Sequence, residues 1–348
     1  MMKTEYNLSK LDGDILLIGG YGAGNIGDEA ILTGLLGQLS NNVNSVSVTS
    51  HDTKETWELH NSELSKSTHL NPISPTPSTL LSQLICTDHI VVGGGGIFSN
   101  YMGDYAKKIP YYTLLALMMQ KKVHWTALGV YPSTPTSVRI PLKYCMKHSN
   151  TITVRDPVSK GYLESIGVHD VKLVPDPARL ISPDNESATD LLKEVGLEPD
   201  DKIVGIAARH VLDENLDERL QESYQDTAAH LQDSGYKVIF LPFCQHPTKA
   251  VENDFEICKE YVEMLGTPKI PNFVHPRQLL AIISQIDLMI ATRLHSMIFA
   301  QTVNTPFVCV EYAEKCRSLL EHYDETESGV QLETVSSDEI LSRIPNIE

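Results

Sequence analysis

Positive charge is scarce in this chain of 348 residues. Lys and Arg total 28 against 45 Asp and Glu, a formal net charge of -17. A chain this acidic lacks the electrostatic footprint of a sequence-independent nucleic-acid binder. It can still hold an anionic ligand, because a few local Arg suffice to seat a phosphate inside an acidic protein. Long hydrophobic runs are also missing. The most apolar stretch, 111–119, is too short to span a bilayer and runs into Gln120, Lys121 and Lys122. Residues 1–11 carry no apolar signal core, so a cytoplasmic location is expected. Cys86, Cys145, Cys244, Cys258, Cys309 and Cys316 are scattered without a CxxC pair. That predicts reduced thiols acting as small buried hydrophobes, not a disulfide frame. No set of side chains has metal-ligand spacing, so no metal is expected. What remains, 41% hydrophobic and 21% charged, is the composition of a soluble globular protein. At roughly 100–200 residues per domain, the length suggests two domains.

Short apolar runs alternate with helical patterns along the first half. Strands are predicted over 14–19, 45–49, 89–92, 123–128, 151–154 and 171–174. Helices are predicted over 28–39, 105–120, 135–147 and 156–166, the last stopped by Gly167. Such alternation implies parallel βαβ units with both sheet faces covered. Around Pro175, Pro177, Pro183 and Pro199 the chain turns rich in proline and acid, with one short helix near 188–195. A second alternating set follows: strands over 203–208, 237–241, 288–291 and 307–310, with helices between them and over 253–265, 276–284 and 294–301. There is no fixed-period repeat. The expected architecture is α/β: a first Rossmann-like domain over 1–180, a linker over 181–200 and a second Rossmann-like domain over 201–348 ending in an acidic tail. Mostly parallel sheets would face a central cleft, with ligand beyond the carboxyl ends of the strands.

Four places carry candidate chemistry. After the first strand, Gly19 to Glu29 reads GGYGAGNIGDE and contains a GxGxxG. Asp28 and Glu29 fall in the first helical turn, where they favour the helix dipole and repel a pyrophosphate. The loop is therefore either a plain tight turn or, through Gly22, Asn25 and Asp28, part of a site for a neutral, sugar-like substrate. Gly93 to Gly96 follow a buried strand; they form a packing turn, or Gly94 and Gly95 let a ligand approach an anion nest. Arg155 ends a strand just before Asp156, an expected N-cap. Its guanidinium either pairs with a carboxylate of the protein or reaches an anionic ligand from the strand end. Strongest is the apolar strand that runs into Arg293 and His295 at a helix start, with Lys315 twenty residues past His295. A permanent cation, a helix N-terminus and a His that a bound phosphate can hold protonated suit both anion binding and general-acid work. Arg209 and His246 follow strands on the same side and are either ligands or ordinary surface residues. Asp254 opens a helix, where N-capping is its simplest role.

Taken in order, GGYGAGNIGDEAIL, VVGGGGIF, VHWTALGVYP, ITVRDPVSKGYLESIGV, VPDPA and RLHSMIFA with Lys315 resemble the polysaccharide pyruvyl transferase family, over roughly Leu16 to Lys315. The resemblance implies a GT-B-like fold and transfer of the enolpyruvyl unit of phosphoenolpyruvate (PEP) onto a sugar as a ketal, with release of phosphate. It implies an acceptor side in the first domain and an anion site in the second. Arg155, Arg293, His295 and Lys315 would bind the anion, with His295 as general acid and Arg293 beside it. Arg209 and Asp254 would contact substrate, Asp254 near the acceptor. PEP is then a donor substrate and no cofactor is implied. The acceptor would be a cell-surface polysaccharide or its precursor. A lipid-linked glycan would bring the protein to the inner face of the membrane as a peripheral protein, and a homo-oligomer stays open. Two other readings share these residues: a GT-B glycosyltransferase using a nucleotide sugar, and a non-catalytic sugar- or nucleotide-binding protein. Ala207-Ala208-Arg209-His210 departs from the family's commoner Ser-Leu-Arg form.

One expectation follows from the glycine loop alone. With Asp28 and Glu29 where a pyrophosphate would sit, NAD should give no binding heat in titration calorimetry. A micromolar NAD complex contacting Gly24 would overturn that reading.

Overall fold

The computed structural model describes residues 6–99, 102–246, 250–271 and 275–345. The start of the chain, 1–5, and the end of the acidic tail, 346–348, lie outside the described residues. The chain divides into two compact units: Met1–Ala23 with Asp28–Leu180, and Gly24–Gly27 with Ile181–Glu348.

In chain order the first unit runs β1 (Gly13–Tyr21), α1 (Ile26–Leu36), β2 (Val43–Ser50), α2 (Thr53–His60), β3 (His69–Ile73), α3 (Pro77–Cys86), β4 (His89–Phe98), α4 (Asp104–Met118), β5 (Lys122–Val130), α5 (Thr136–Lys147), β6 (Thr151–Val154), α6 (Pro157–Ser165) and β7 (Lys172–Leu173). Its sheet is parallel, in the order β3-β2-β1-β4-β5-β6-β7. Strand order reverses between β1 and β4, so the glycine loop after β1 and the glycines of β4 flank the switch point where such sheets take ligands. One core face is built from Leu80 and Leu84 of α3, Ile109 and Ala116 of α4, and Val138 and Leu142 of α5 against Ile90, Val92 and Trp125 of the sheet.

The second unit runs α7 (Asn185–Glu194), β8 (Ile203–Ala207), α8 (Glu214–Asp233), β9 (Lys237–Phe240), α9 (Asp254–Leu265), α10 (Pro276–Ile283), β10 (Leu288–Ala291), α11 (Leu294–Val303), β11 (Phe307–Glu311), α12 (Glu314–His322), β12 (Gly329–Gln331) and α13 (Ser337–Ser342). Its parallel sheet has the order β12-β11-β10-β8-β9. The switch point here lies between β8 and β10.

Several local expectations change. Residues 181–200, read as a linker, belong to the second unit: Asp184 caps α7, and Ala188 and Leu192 are buried on it. The glycines 93–96 do not end the strand: β4 continues through them, with Gly93 opposite Thr126 and Gly95 opposite Leu128 on β5, but Gly94 and Gly95 have φ of 72° and 84° and the register slips between Gly95 and Phe98. Strand β3 was not predicted, because Pro72 and polar neighbours hide it. It lies at the sheet edge, where only β2 pairs with it and a proline is tolerated. All six cysteines are free thiols, but Cys86 is exposed, not buried.

At the amino-terminal edge of the first sheet two buried histidines stack. His89 Nδ1 lies 3.1 Å from His124 Nε2, and His124 Nδ1 lies 3.0 Å from the Thr151 hydroxyl. His89 also reaches Asp12, at 3.3 Å. Burial, with His89 and Lys122 adding to it, pushes His124 down to about 4. An unfolded His titrates near about 6.5. Between those values the unfolded chain binds a proton that the folded protein does not, so stability falls as pH drops through that window, by roughly 2 kcal/mol at pH 5. Urea unfolding of His124→Gln should therefore lose less stability between pH 7 and 5 than the parent protein. An identical loss in both would remove His124 as the cause.

Candidate functional site

In the second unit β11, β10 and β8 are neighbours, and a cation follows each. Arg209 lies just past β8, Arg293 just past β10, and Lys315 in the first turn of α12 after β11. Tyr312 stands among them. The Arg209 guanidinium carbon is 4.2 Å from the centre of its ring and Lys315 Nζ is 5.1 Å from it. Arg209 Nε donates to the His210 carbonyl at 2.9 Å. Among the described residues, neither the Lys315 ammonium nor the outer nitrogens of Arg209 pair with a carboxylate. Cation–π contact holds both side chains without neutralising them.

Arg293 differs. Its Nε and Nη2 donate to the two oxygens of Asp254, at 2.9 and 2.5 Å. Asp254 is 1% exposed and also accepts from the Phe243 N–H at 3.3 Å. Burial pushes the Asp254 carboxyl up, with Arg293 opposing. Burial alone would disfavour the Arg293 charge, but Asp254 outweighs it and holds the guanidinium above its usual value. Asp254 is thus not the helix cap that its position suggests; Asn253 occupies the N-cap, and Asp254 is spent on Arg293.

His295 is the second residue of α11, partly exposed. Its imidazole lies against Gly27, where a Cβ would come 2.0 Å from Nδ1. The segment Gly24–Gly27 is fixed in the second unit by backbone bonds: the Gln245 N–H donates to Gly24 at 2.8 Å and the Ile26 N–H to Phe243 at 2.9 Å. Asn25 bridges Cys244, and its side chain accepts from the Gly27 N–H at 3.0 Å. His246 is 4.0 Å from Glu252. Helices α11 and α12 begin at Arg293 and Ala313 with no side-chain cap, whereas α8 is capped by Asp213 and α13 by Ser336. Their leading N–H groups remain for another acceptor.

The remaining expected residues lie in the first unit. Gly22 has φ of 68°, and a Cβ there would come 2.1 Å from Ser50 Oγ, so local packing alone requires glycine. Its N–H donates to Glu29 Oε1 at 2.8 Å, and Glu29 Oε2 is 2.8 Å from Nε2 of the buried His60. Gly94 packs on Ile31, and Gly95 faces Asp28, whose Oδ1 would lie 3.3 Å from a Cβ. Arg155 donates to Asp176 at 2.7 Å with both side chains buried. Burial alone would lower its charge, but Asp176 outweighs that. Of the four cations expected at one anion site, Arg155 is ion-paired with Asp176 in the first unit, and Arg293, His295 and Lys315 belong to the second unit, as does Arg209. Sequence reasoning missed Tyr312, although an aromatic at a strand end three residues before Lys315 was a readable signal. It also missed the Glu29–His60 pair, whose members have no shared motif.

Among the described residues no helix is long and apolar enough to cross a membrane, and no group of three His, Cys, Asp or Glu is placed to hold a metal. The chain is 21% identical to the amylovoran biosynthesis protein AmsJ of Erwinia amylovora, over 96% of this chain and 91% of that protein. It superposes on UDP-GlcNAc 2-epimerase from Methanocaldococcus jannaschii with a TM-score of 0.59 and 13% identity, covering 96% of this chain and 91% of the other. For the ADP-heptose LPS heptosyltransferase II of E. coli the TM-score is 0.54 at 12% identity, over 95% and 97% of the two chains. At such identities these structures speak for the fold, which is GT-B-like. The profile described as polysaccharide pyruvyl transferase matches residues 25–314, from Asn25 of the glycine loop to the residue before Lys315. By that match, which spans both α/β units, the chain is a transferase and belongs to the polysaccharide pyruvyl transferase family.

Proposed function

We propose that this enzyme transfers the enolpyruvyl group of PEP onto two hydroxyls of a sugar, in a cell-surface polysaccharide or its precursor, as a ketal. The observation that supports the reading is the pair Arg209 and Lys315: two cations on one aromatic ring, without carboxylate partners among the described residues, in a chain of net charge -17. Two uncapped helix N-termini adjoin them. PEP presents a phosphate and a carboxylate on one small frame, and such a dianionic ligand fits that set of donors.

The chemistry is balanced without a cofactor, since no electrons are gained or lost. His295, protonated, donates its proton to the enol CH2, which becomes CH3. One sugar hydroxyl attacks the cationic carbon and its proton returns to His295. The C–O bond to phosphate breaks as the second hydroxyl closes the ketal, its proton leaving with the phosphate. Arg209 and Lys315 offset charge on the departing phosphate. Arg293, oriented by Asp254, keeps Nη1 for the ligand. A nucleotide-sugar glycosyltransferase is the second reading, supported by the likeness in fold to the heptosyltransferase. Calorimetry with PEP against UDP-sugars separates the two. On this reading the enzyme works in the cytoplasm.

Arg209→Ala and Lys315→Ala should each weaken PEP binding, on the order of tenfold to a hundredfold, as expected for losing a charge-assisted bond of roughly 1.5–3 kcal/mol. Unchanged PEP affinity in both folded variants would empty this site. His295→Gln should bind PEP yet lose about 10²–10⁴-fold in phosphate release, and should lose the alkaline limb of the pH–rate profile. Gly27→Ala, by pushing the His295 ring aside, should share that phenotype. Near-normal turnover in His295→Gln would assign the proton to another group.

A further inference from the structure

Residues 105–155 contain no Asp or Glu and eight Lys or Arg, in a chain that carries 45 acids. This stretch supplies α4 and α5, which cover the same face of the first sheet as α3. Their outward stripes are apolar in an unusual degree. Leu81 and Ile85 of α3, Tyr111 and Met118 of α4, and Ile140 and Tyr144 of α5 are 47–74% exposed. Single exposed apolar residues are ordinary. Here six of the ten large exposed hydrophobics found among the described residues share three adjacent helices.

The stripes adjoin. The Tyr111 hydroxyl donates to the Ser137 carbonyl at 3.3 Å, tying α4 to α5 on the outside. Lys121 Nζ donates to the Ile85 carbonyl at 2.9 Å, tying the end of α4 to α3. Helices α4 and α5 carry Lys107, Lys108, Arg139, Lys143 and Lys147, of which the Lys143 and Lys147 ammonium groups lie beside Gly167, past the end of α6. Asp104, paired with Lys107 at 2.9 Å, is the one acid of α4 and α5.

We propose that the outer face of α3, α4 and α5 docks this protein on an anionic membrane surface. Charge complementarity selects the occupant. A net charge of -17 repels a negative bilayer from the molecule as a whole, so only a locally cationic face can approach it. Helices that carry both exposed Tyr, Met and Ile and an excess of Lys and Arg match an interfacial helix face, with apolar side chains at the headgroup boundary and ammonium groups at the phosphates. Lysine is depleted at protein–protein interfaces, which disfavours a protein partner. This inference does not depend on the donor substrate.

The test is co-sedimentation of the full-length protein with vesicles of phosphatidylcholine alone, or of phosphatidylcholine with phosphatidylglycerol. Binding is expected to the mixed vesicles only, and to weaken with added salt. It should fall roughly fivefold for each lysine replaced in Lys107→Gln, Lys108→Gln and Lys143→Gln. Met118→Ser with Ile140→Ser, which leaves the charge unchanged, should also release the protein while its melting temperature holds. Parent protein that stays in the supernatant with mixed vesicles would overturn the proposal, as would lysine variants that sediment equally. So would a parent dimer in sedimentation velocity that Met118→Ser with Ile140→Ser dissociates, since the face would then belong to a second copy.

Discussion

The fork between Arg293 and Asp254 organises the second unit's site. It joins the first residue of α9 to the junction of β10 and α11, with Asp254 buried and Arg293 14% exposed. Two parallel N–H···O bonds fix the plane of the guanidinium, and its residue, Arg293, occupies the N-cap position of the helix that carries His295 without a side-chain cap bond. The orientation of α11 thus depends on a carboxylate 39 residues away. Removing either partner would leave a buried charge alone, a change that typically costs about 3–5 kcal/mol.

That pairing also clarifies how an acidic protein manages its few cations. Arg155 and Arg293 are each matched by a buried carboxylate, so their charges are largely used in holding the fold. Arg209 and Lys315 are held by the π-face of Tyr312, which restrains a cation without pairing it to a carboxylate; of the Arg209 donors only Nε is spent, on the His210 carbonyl. Position at a strand end does not distinguish these two situations. The partner does.

The same distinction explains what was legible in the sequence. Strands such as β1, β4 and β5 were visible because a strand buried on both faces reads as an apolar run. The end of α6 was visible because Gly167 adopts φ of 80°. Arg293, His295 and Lys315 were recognisable from their places after such strands. Asp254 and Asp176 were not recognisable as their partners or Arg155's, because ion pairs are made by tertiary approach and leave no periodic trace. Tyr312 was passed over since one aromatic in a loop reads as filler until two cations are seen against it. Edge strands β3 and β12 were illegible for a related reason: half-paired and short, they need little of the apolar pattern by which a strand is recognised.

Gly24–Gly27 lie early in the chain but are bonded into the second unit, through Phe243, Cys244 and Gln245. The second unit is therefore not a continuous stretch of polypeptide, and a cut near residue 181 would yield a piece without the strip on which His295 rests. On the ribosome, that strip emerges long before its partners Phe243, Cys244 and Gln245 and waits for them. Closing so long a loop is among the slow events of folding. The surroundings of His295 are completed by a segment synthesised long before the helix that carries it.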